Sequence, residues 1–250
     1  MENSGIKGLL RKVLHTVMPE NCRSCGQVLW EDSVPFFCNH CWASLNPITG
    51  PTCQRCGLPF PSPVSLLHSP NHQCENCRLR PPAFTQAWSL FPYKSPLKEA
   101  IGLFKYQSKV SLTGPLTTLL LRALTSLPNP LARIDVILPV PLHPIRLRER
   151  EYNQSLLLAF RLSRLLGLPL SYTALVRIRP TKPQTTLSRN DRLKNLRRSF
   201  VVTQPGILQD KKILLVDDVF TTGTTVNECA KALRKAGTSH VFVVTLARMV

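Results

Sequence analysis

Short apolar runs alternate with longer segments of helical periodicity from residue 87 to the end of the chain. The apolar runs predict strands at Ala87–Tyr93, Asp135–Leu138, Lys212–Val216 and Val241–Leu246. Apolar residues spaced three and four apart predict helices at Leu97–Tyr106, Val110–Leu127, Asn153–Leu166 and Thr224–Ala236. This alternation predicts an α/β fold with a doubly wound parallel sheet, whose ligands bind at the carboxyl ends of the strands.

Two of these elements carry more detailed predictions. Ile213–Val216 is apolar without alternation, which is typical of a central parallel strand buried on both faces. The helix Asn153–Leu166 ends before Gly167, a common residue after a helix terminus. Its predicted inward residues are Leu156, Leu157, Phe160 and Leu165.

The first 19 residues have the pattern of a short amphipathic helix. Lys7, Arg11 and Lys12 interrupt the apolar positions, so Met1–Met18 does not resemble a secretory signal. We expect this helix to pack on the protein, with contact to a membrane surface as the alternative. No stretch approaches the ~20 apolar residues of a spanning helix. We therefore expect no transmembrane segment and a cytoplasmic protein with reduced cysteines.

Eight of the nine cysteines form four C-x-x-C pairs between residues 20 and 78. A two-residue spacer lets both sulfurs of a pair face one ion, and structural zinc takes four thiolates in a tetrahedron. The pattern predicts two structural zinc ions. The predicted ligands are Cys22, Cys25, Cys38 and Cys41 for one ion and Cys53, Cys56, Cys74 and Cys77 for the other.

This sequential pairing is favoured because Gly26 and Gly57 each follow the first pair of a repeated unit. A crossed arrangement of the four pairs is the alternative. A disulfide framework is a further alternative, which the lack of a secretory signal disfavours. Four thiolates leave no open coordination position, so the zinc ions are expected to be structural. Cys229 stands alone in a predicted helix and is interpreted as a buried small hydrophobe.

The segment after the strand Lys212–Val216 has the features of a phosphate-binding loop. Asp217 and Asp218 end the strand, and a threonine-rich turn leads into the next helix. The turn consists of Thr221, Thr222, Gly223, Thr224 and Thr225. A helix N-terminus with free backbone N–H groups binds phosphate, and threonine hydroxyls add donors. No lysine follows the glycine, so this is not a Walker P-loop.

The two adjacent carboxylates of this segment suggest a sugar ligand. Neighbouring ribose hydroxyls can donate to both Asp217 and Asp218, which offsets the cost of placing two acids together. The alternative is that the acids cap the helix and the threonines fill the loop. The sequence therefore predicts a ribose-phosphate site at Ile213–Thr225.

The chain is strongly basic, with a formal net charge of +18. Residues 143–198 hold 13 Lys and Arg against three acidic residues. Such a segment suits pyrophosphate or a nucleic-acid backbone, and a solvated basic face is the alternative. Aromatic residues are scarce there, so base stacking is not strongly indicated.

Ile213–Thr225 resembles the signature of type I phosphoribosyltransferases, and the chain from about residue 18 resembles the ComF family of bacterial competence proteins. The resemblance comprises the cysteine pairs, the phosphate loop and several ordered motifs. These are Leu103–Tyr106 (L-F-K-Y), Leu138–His143 (L-P-V-P-L-H), Arg146–Gln154 (R-L-R-E-R-E-Y-N-Q) and Arg177–Asn195. One position departs from the family, which usually has Gly where this chain has Glu151.

The resemblance implies a role for each matching position. Asp217 and Asp218 would act as the catalytic acids that hold the ribose hydroxyls, and Thr221–Thr225 would hold the 5-phosphate. The ligand would be 5-phosphoribosyl-1-pyrophosphate (PRPP) with magnesium. Pro139–His143 lies where these folds carry the pyrophosphate loop, and Arg146 and Arg150 would bind pyrophosphate or nucleic acid.

The resemblance also implies a cellular task and a domain organisation. The expected task is the handling of incoming single-stranded DNA during natural transformation, with competence-machinery proteins as further partners. The alternative is an active phosphoribosyltransferase on an unidentified small-molecule acceptor. The predicted segments are an amphipathic helix at 1–19, a double zinc ribbon at 20–80 and a phosphoribosyltransferase-like domain at 84–250.

Overall fold

The computed structural model describes residues 20–30, 34–62, 72–126, 134–179 and 199–249. The predicted helix at 1–19 therefore lies outside the described residues, as does most of the motif Arg177–Asn195. The chain divides into two compact units. The first unit comprises 1–46 with 94–112, and the second comprises 47–93 with 113–250. The domain boundaries drawn from the sequence stay predictions.

The first unit contains the first two cysteine pairs. Helix α1 spans Asn39–Ala43 and begins at Cys38, whose sulfur accepts from the backbone N–H of Cys41 over 3.4 Å. A second short helix, α2 (Glu75–Leu79), lies in the other unit, begins after Cys74 and carries Cys77. Helix α3 spans Leu97–Tyr106, as its periodicity predicts, and it buries Leu97, Ala100, Ile101, Leu103 and Phe104.

The second unit is built on a four-stranded parallel sheet. Its strands, in their order across the sheet, are β1 (Gln86–Pro92), β6 (His240–Arg248), β5 (Lys212–Phe220) and β2 (Val136–Pro139). Every pairing is parallel, which confirms the predicted fold class. Ile213–Val216 is fully buried, as its unbroken apolar run requires.

Helices cover the parallel sheet. Helix α4 (Thr113–Thr125) and helix α6 (Gln154–Leu166) pack against each other and against strands, and α7 (Thr224–Lys235) packs on β6. Helix α5 (Pro144–Arg150) lies between β2 and α6 in the chain. A two-stranded antiparallel sheet pairs β3 (Leu175–Arg177) with β4 (Phe200–Val202).

The predicted inward face of α6 is wrong in part. Phe160 and Leu165 are 52% and 51% exposed, and the helix instead buries Leu158, Ala159 and Leu162. The buried positions keep the three- and four-residue spacing, but the face is rotated relative to the prediction. The sequence alone allows more than one face of α6 to be buried, because this helix has apolar residues on more than one side.

Strand β5 is longer than its apolar run. It continues to Phe220, because Asp217 and Val219 keep their register with Thr245 and Ala247 of β6. The two acids therefore lie within the strand instead of in the loop that follows it. No helix in the described part of the chain is long and apolar enough to cross a bilayer.

Candidate functional site

The phosphate loop, Thr221–Thr225, joins the end of β5 to the start of α7. Gly223 precedes the helix with φ +72°, a left-handed conformation that L side chains rarely adopt. A Cβ at this position would also collide with the ring of Phe220. Only glycine fits this turn, and the turn leaves the first backbone N–H groups of α7 pointing out of the helix.

Two threonines shape the entrance of α7. The hydroxyl oxygens of Thr222 and Thr224 lie 2.8 Å apart, and the backbone N–H of Thr224 donates to the Thr222 hydroxyl over 3.4 Å. Thr222 is exposed whereas Thr224 is buried. The loop thus combines backbone and hydroxyl donors at the positive end of a helix dipole, a combination that suits a phosphate dianion.

The two acids have different surroundings. Asp217 is half-buried, and its Oδ1 accepts a hydrogen bond of 2.9 Å from the hydroxyl of Ser155. Asp218 is only 6% exposed. Consecutive strand residues project to opposite faces, which accounts for this contrast. Asp217 is therefore the more accessible acid, and the joint contact of both acids with one sugar stays a prediction.

The start of α6 brings the segment after β2 to the acids. The side-chain oxygen of Asn153 accepts from the backbone N–H groups of Ser155 and Leu156, and so caps the helix. Its amide nitrogen donates to the carbonyl of Val140 over 3.0 Å. The N–H of Val140 in turn donates to the carbonyl of Val216 on β5 over 2.9 Å. The predicted pyrophosphate segment, Pro139–His143, is thereby held beside the end of β5.

The two predicted arginines lie on α5. Arg146 pairs with Glu149 at 2.6 Å, and Arg150 donates to the side chain of Gln154 over 3.3 Å. Gln154 neighbours Ser155, so Arg150 is joined to the helix that contacts Asp217. Arg146 is instead engaged by an acid of its own helix, and pyrophosphate would have to compete with that ion pair.

Glu151 ends α5 in a left-handed conformation with φ 65°. A glycine adopts this conformation without strain, whereas a residue with a side chain does not. The departure from the family pattern noted in the sequence therefore falls on a position where the backbone favours glycine.

Arg177 is a site residue that the sequence did not single out. It ends β3, and its guanidinium lies 5.6 Å from the centre of the Phe200 ring. Burial lowers the pKa of Arg177, and the nearby Asp217 carboxylate opposes that lowering. A basic side chain thus lies within electrostatic range of Asp217.

Cys229 is a buried hydrophobe, as expected from its place in α7. It is 0% exposed, and burial raises its pKa well above the usual value. Because only the thiolate is a nucleophile, this cysteine is inert.

The eight paired cysteines form two clusters. Within each cluster the four Sγ atoms lie within 4.8 Å of one another, and the pairs combine sequentially rather than crossed. The first cluster consists of Cys22, Cys25, Cys38 and Cys41, and the second of Cys53, Cys56, Cys74 and Cys77.

The spacing of the sulfurs fits zinc. A tetrahedron with Zn–S bonds of about 2.3 Å has edges of about 3.8 Å. The Cys25–Cys38 and Cys56–Cys74 sulfur distances are 3.8 Å and 3.7 Å. A hydrogen bond from Cys56 lowers the pKa of Cys53 to about 4, and the same contact raises the pKa of Cys56. Four sulfurs close each site, which suits a structural ion.

The second cluster is attached to the sheet. The Arg55 carbonyl accepts from the N–H of Ala87 over 2.8 Å, and the Arg55 guanidinium donates to the Thr85 carbonyl over 2.8 Å. Gly57 approaches so closely that a Cβ there would lie 2.7 Å from the Ala87 carbonyl oxygen. These contacts fix the second cluster at β1.

The second cluster also reaches the phosphate loop. Arg248, at the end of β6, donates to the Cys56 carbonyl over 2.6 Å and lies over the Phe220 ring. The side chain of Asn227 on α7 accepts from the N–H of Ala83 over 2.7 Å. The sequence placed the cysteines and the loop in separate domains and did not indicate this contact.

Two parts of the chain match known domain families. Residues 13–78 match the double zinc ribbon domain, and residues 153–249 match the phosphoribosyl transferase domain. Competence protein F of Haemophilus influenzae is 32% identical over 222 residues, which cover 85% of this chain and 97% of that protein. The chain belongs to the ComF family.

Other ComF relatives carry related names. The DNA utilization protein YhgH of Escherichia coli K12 is 35% identical over 202 residues, which cover 78% of this chain and 83% of that protein. Competence protein ComFC of Bacillus subtilis is 28% identical, and the match covers 80% of this chain and 78% of that protein. The family assignment confirms the resemblance drawn from the motifs.

Proposed function

We propose that this ComF-family protein binds PRPP with magnesium and handles single-stranded DNA during natural transformation. The observation that carries the proposal is the juxtaposition of Gly223, at the open start of α7, with Asp217, which Ser155 holds at 2.9 Å. PRPP carries a phosphate and a sugar hydroxyl on one molecule, so one ligand can contact both the start of α7 and Asp217.

Each part of the site has a distinct task in this proposal. The phosphate loop donates N–H and hydroxyl groups to the 5-phosphate. Asp217, with Asp218, accepts from the ribose hydroxyls. Arg150 and Pro139–His143 lie on the side where the pyrophosphate extends, and Arg177 balances the charge of the acids.

Magnesium fits this arrangement as a companion of PRPP. Among the described residues, only the two cysteine clusters bring three or more potential metal ligands together. Magnesium retains several waters and is usually held by substrate phosphates and one or two carboxylates, so a dedicated acidic cage is not required. When bound, the ion neutralises charge on the pyrophosphate.

The DNA part of the proposal is supported by charge and by the family. The net charge of +18 favours polyanions. The names of the relatives refer to competence and to DNA utilization. These observations support a protein that contacts the DNA backbone through arginine and lysine side chains.

The experiment is a titration of PRPP and magnesium into the zinc-loaded protein by calorimetry. We expect Asp217→Ala/Asp218→Ala to weaken binding by at least about tenfold, because each lost hydrogen bond to a charged group is worth about 1.5–3 kcal/mol. Asp210→Asn is the matched control, because this exposed acid precedes β5 at the opposite end of the strand.

Unchanged PRPP binding in the double variant would remove the pocket assignment. Release of pyrophosphate on adding candidate bases, measured with the same protein, tests the alternative that the chain is an active transferase. Loss of that release in the double variant would assign the activity to this site.

A further inference from the structure

A cavity of about 360 Å³ lies between the second cysteine cluster and the phosphate loop. This volume falls within the roughly 300–1,000 Å³ of small-molecule sites. The residues that matter here are Arg80, Phe84, Phe220, Thr222, Arg248 and Met249. We call this space the ribbon cavity.

The ribbon cavity leads away from the acids. Thr221–Thr224 line it, but within the described residues neither Asp217 nor Asp218 does, and Pro139–His143 also lies outside its lining. A sugar at Asp217 with its 5-phosphate in the loop therefore has this space on the far side of the phosphate. A group attached through that phosphate can therefore reach the cavity.

The lining mixes apolar and polar chemistry. Phe84, Phe220 and Met249 supply apolar atoms, and the exposed Asn76 of α2 and Arg80 at its C-terminal end supply polar groups. Aromatic and apolar side chains with a few polar groups suit a heterocycle with hydrogen-bonding atoms on its rim. The combination fits a nucleoside better than a second phosphate.

Arg248 is an independent sign of a ligand. Its side chain is 4% exposed, and it lines the ribbon cavity. One guanidinium nitrogen donates to Cys56, whereas its buried Nε has no hydrogen-bond partner among the described residues. A buried cation with an unused donor is costly, and an acceptor on a bound molecule would lower that cost.

We propose that the ribbon cavity binds the nucleoside joined through the 5-phosphate, so that loop and cavity together bind the last two nucleotides of a single DNA strand. This inference rests on the proposed function of the phosphate loop. The terminal sugar lies at Asp217 and its phosphodiester lies in the loop. The preceding nucleoside enters the ribbon cavity.

The polarity of the strand follows from the charge of the acids. A free 3′ hydroxyl can donate to Asp217, whereas a 3′ phosphate would bring negative charge against a carboxylate. The site is therefore specific for a 3′ end. PRPP and the strand end share the loop, so they compete.

The test compares thymidylyl-(3′→5′)-thymidine, d(TpT), with the methyl phosphodiester of 5′-dTMP, which carries the same single phosphate charge, by calorimetry on the zinc-loaded full chain. We expect d(TpT) to bind about tenfold more tightly, because contacts to one further base are worth about 1–3 kcal/mol. We expect PRPP to displace it. Addition of a 3′ phosphate to d(TpT) should abolish this binding.

Arg80→Glu is the informative variant, because Arg80 is exposed on the rim and its replacement spares the core. It should weaken d(TpT) binding by about tenfold and change PRPP binding by less than about twofold. Arg78→Glu is the matched control, since Arg78 is an exposed neighbour outside the lining.

The outcomes separate the two proposals. Equal affinity for d(TpT) and the methyl phosphodiester of 5′-dTMP, or tight binding of the 3′-phosphorylated dinucleotide, would overturn the ribbon-cavity assignment while PRPP binding stands. Failure of PRPP itself to bind would overturn the proposed function.

Discussion

The hydroxyl of Ser155 donates to the carboxylate of Asp217 over 2.9 Å, although 62 residues separate the two in the chain. Ser155 is only 4% exposed and lies in the first turn of α6. The contact joins the helix after the predicted pyrophosphate segment to the strand that leads into the phosphate loop. The position of Asp217 is therefore set by an element that the loop motif does not include.

Ser155→Ala should weaken PRPP binding by about five- to tenfold. The alanine removes a hydrogen bond to a charged oxygen, and such a bond is worth about 1.5–3 kcal/mol. Only part of this energy is lost from PRPP binding, through the poorer orientation of Asp217. Calorimetry measures the affinity, and a thermal melt shows that the fold persists. Ser163→Ala on the same helix is the control, because its hydroxyl donates to the Leu168 carbonyl away from the acids. Equal affinity in both variants would show that the contact is only structural.

Glu151→Gly should stabilise the protein by about 1 kcal/mol. Glu151 has φ 65°, and relief of a left-handed conformation in a residue with a side chain is worth about that much. Urea denaturation measures the free energy of unfolding. Glu149→Gly should instead lower the free energy of unfolding, because this residue lies inside α5, where glycine costs about 1 kcal/mol. A loss of stability in Glu151→Gly would contradict the strain argument.

Zinc content tests the grouping of the cysteines. We expect two zinc ions per chain by elemental analysis, because each cluster offers four sulfurs. Cys22→Ser/Cys38→Ser should lose one ion, since both residues belong to the first cluster. Cys22→Ser/Cys53→Ser should lose both. Cys229→Ser is the control and should keep two ions. Loss of both ions in the first double variant would indicate crossed pairing.

Binding of single-stranded DNA should fall steeply with salt. If about four phosphates are neutralised, raising the salt from 50 to 200 mM weakens binding roughly 50-fold, because the slope is about −0.7 per phosphate. Fluorescence anisotropy with a labelled oligonucleotide measures this slope. Arg146→Ala should reduce the slope more than Arg122→Ala, its control on α4. Binding that does not respond to salt would exclude an electrostatic interface.

The sequence predicted the local features because their determinants are close together in the chain. Helix α3 coincides with its periodic segment, and the unbroken apolar run at Ile213–Val216 predicted a central strand. The C-x-x-C spacing predicted the two cysteine clusters, and the turn around Gly223 predicted the start of α7. In each case a few neighbouring residues set the backbone and its hydrogen bonds.

The predictions that failed depend on partners elsewhere in the fold. The exposed Phe160 shows that apolar periodicity identifies a helix more reliably than its inward face. Strand β5 extends beyond the apolar run that predicted it, because its pairing with β6 continues past Val216. Which side of a helix is buried, and where a strand ends, are decided by the neighbouring element.

The chain alone determined most of the elements, the sequential grouping of the cysteines and the turn at Gly223, because spacing and backbone chemistry act over a few residues. Only the tertiary structure decided that Ser155 meets Asp217 and that Arg177 lies near that acid. It also decided that Arg248 joins the second cysteine cluster to the phosphate loop and closes one side of a cavity. Such contacts unite residues distant in the chain, and the packing of the sheet against its neighbours sets their distances.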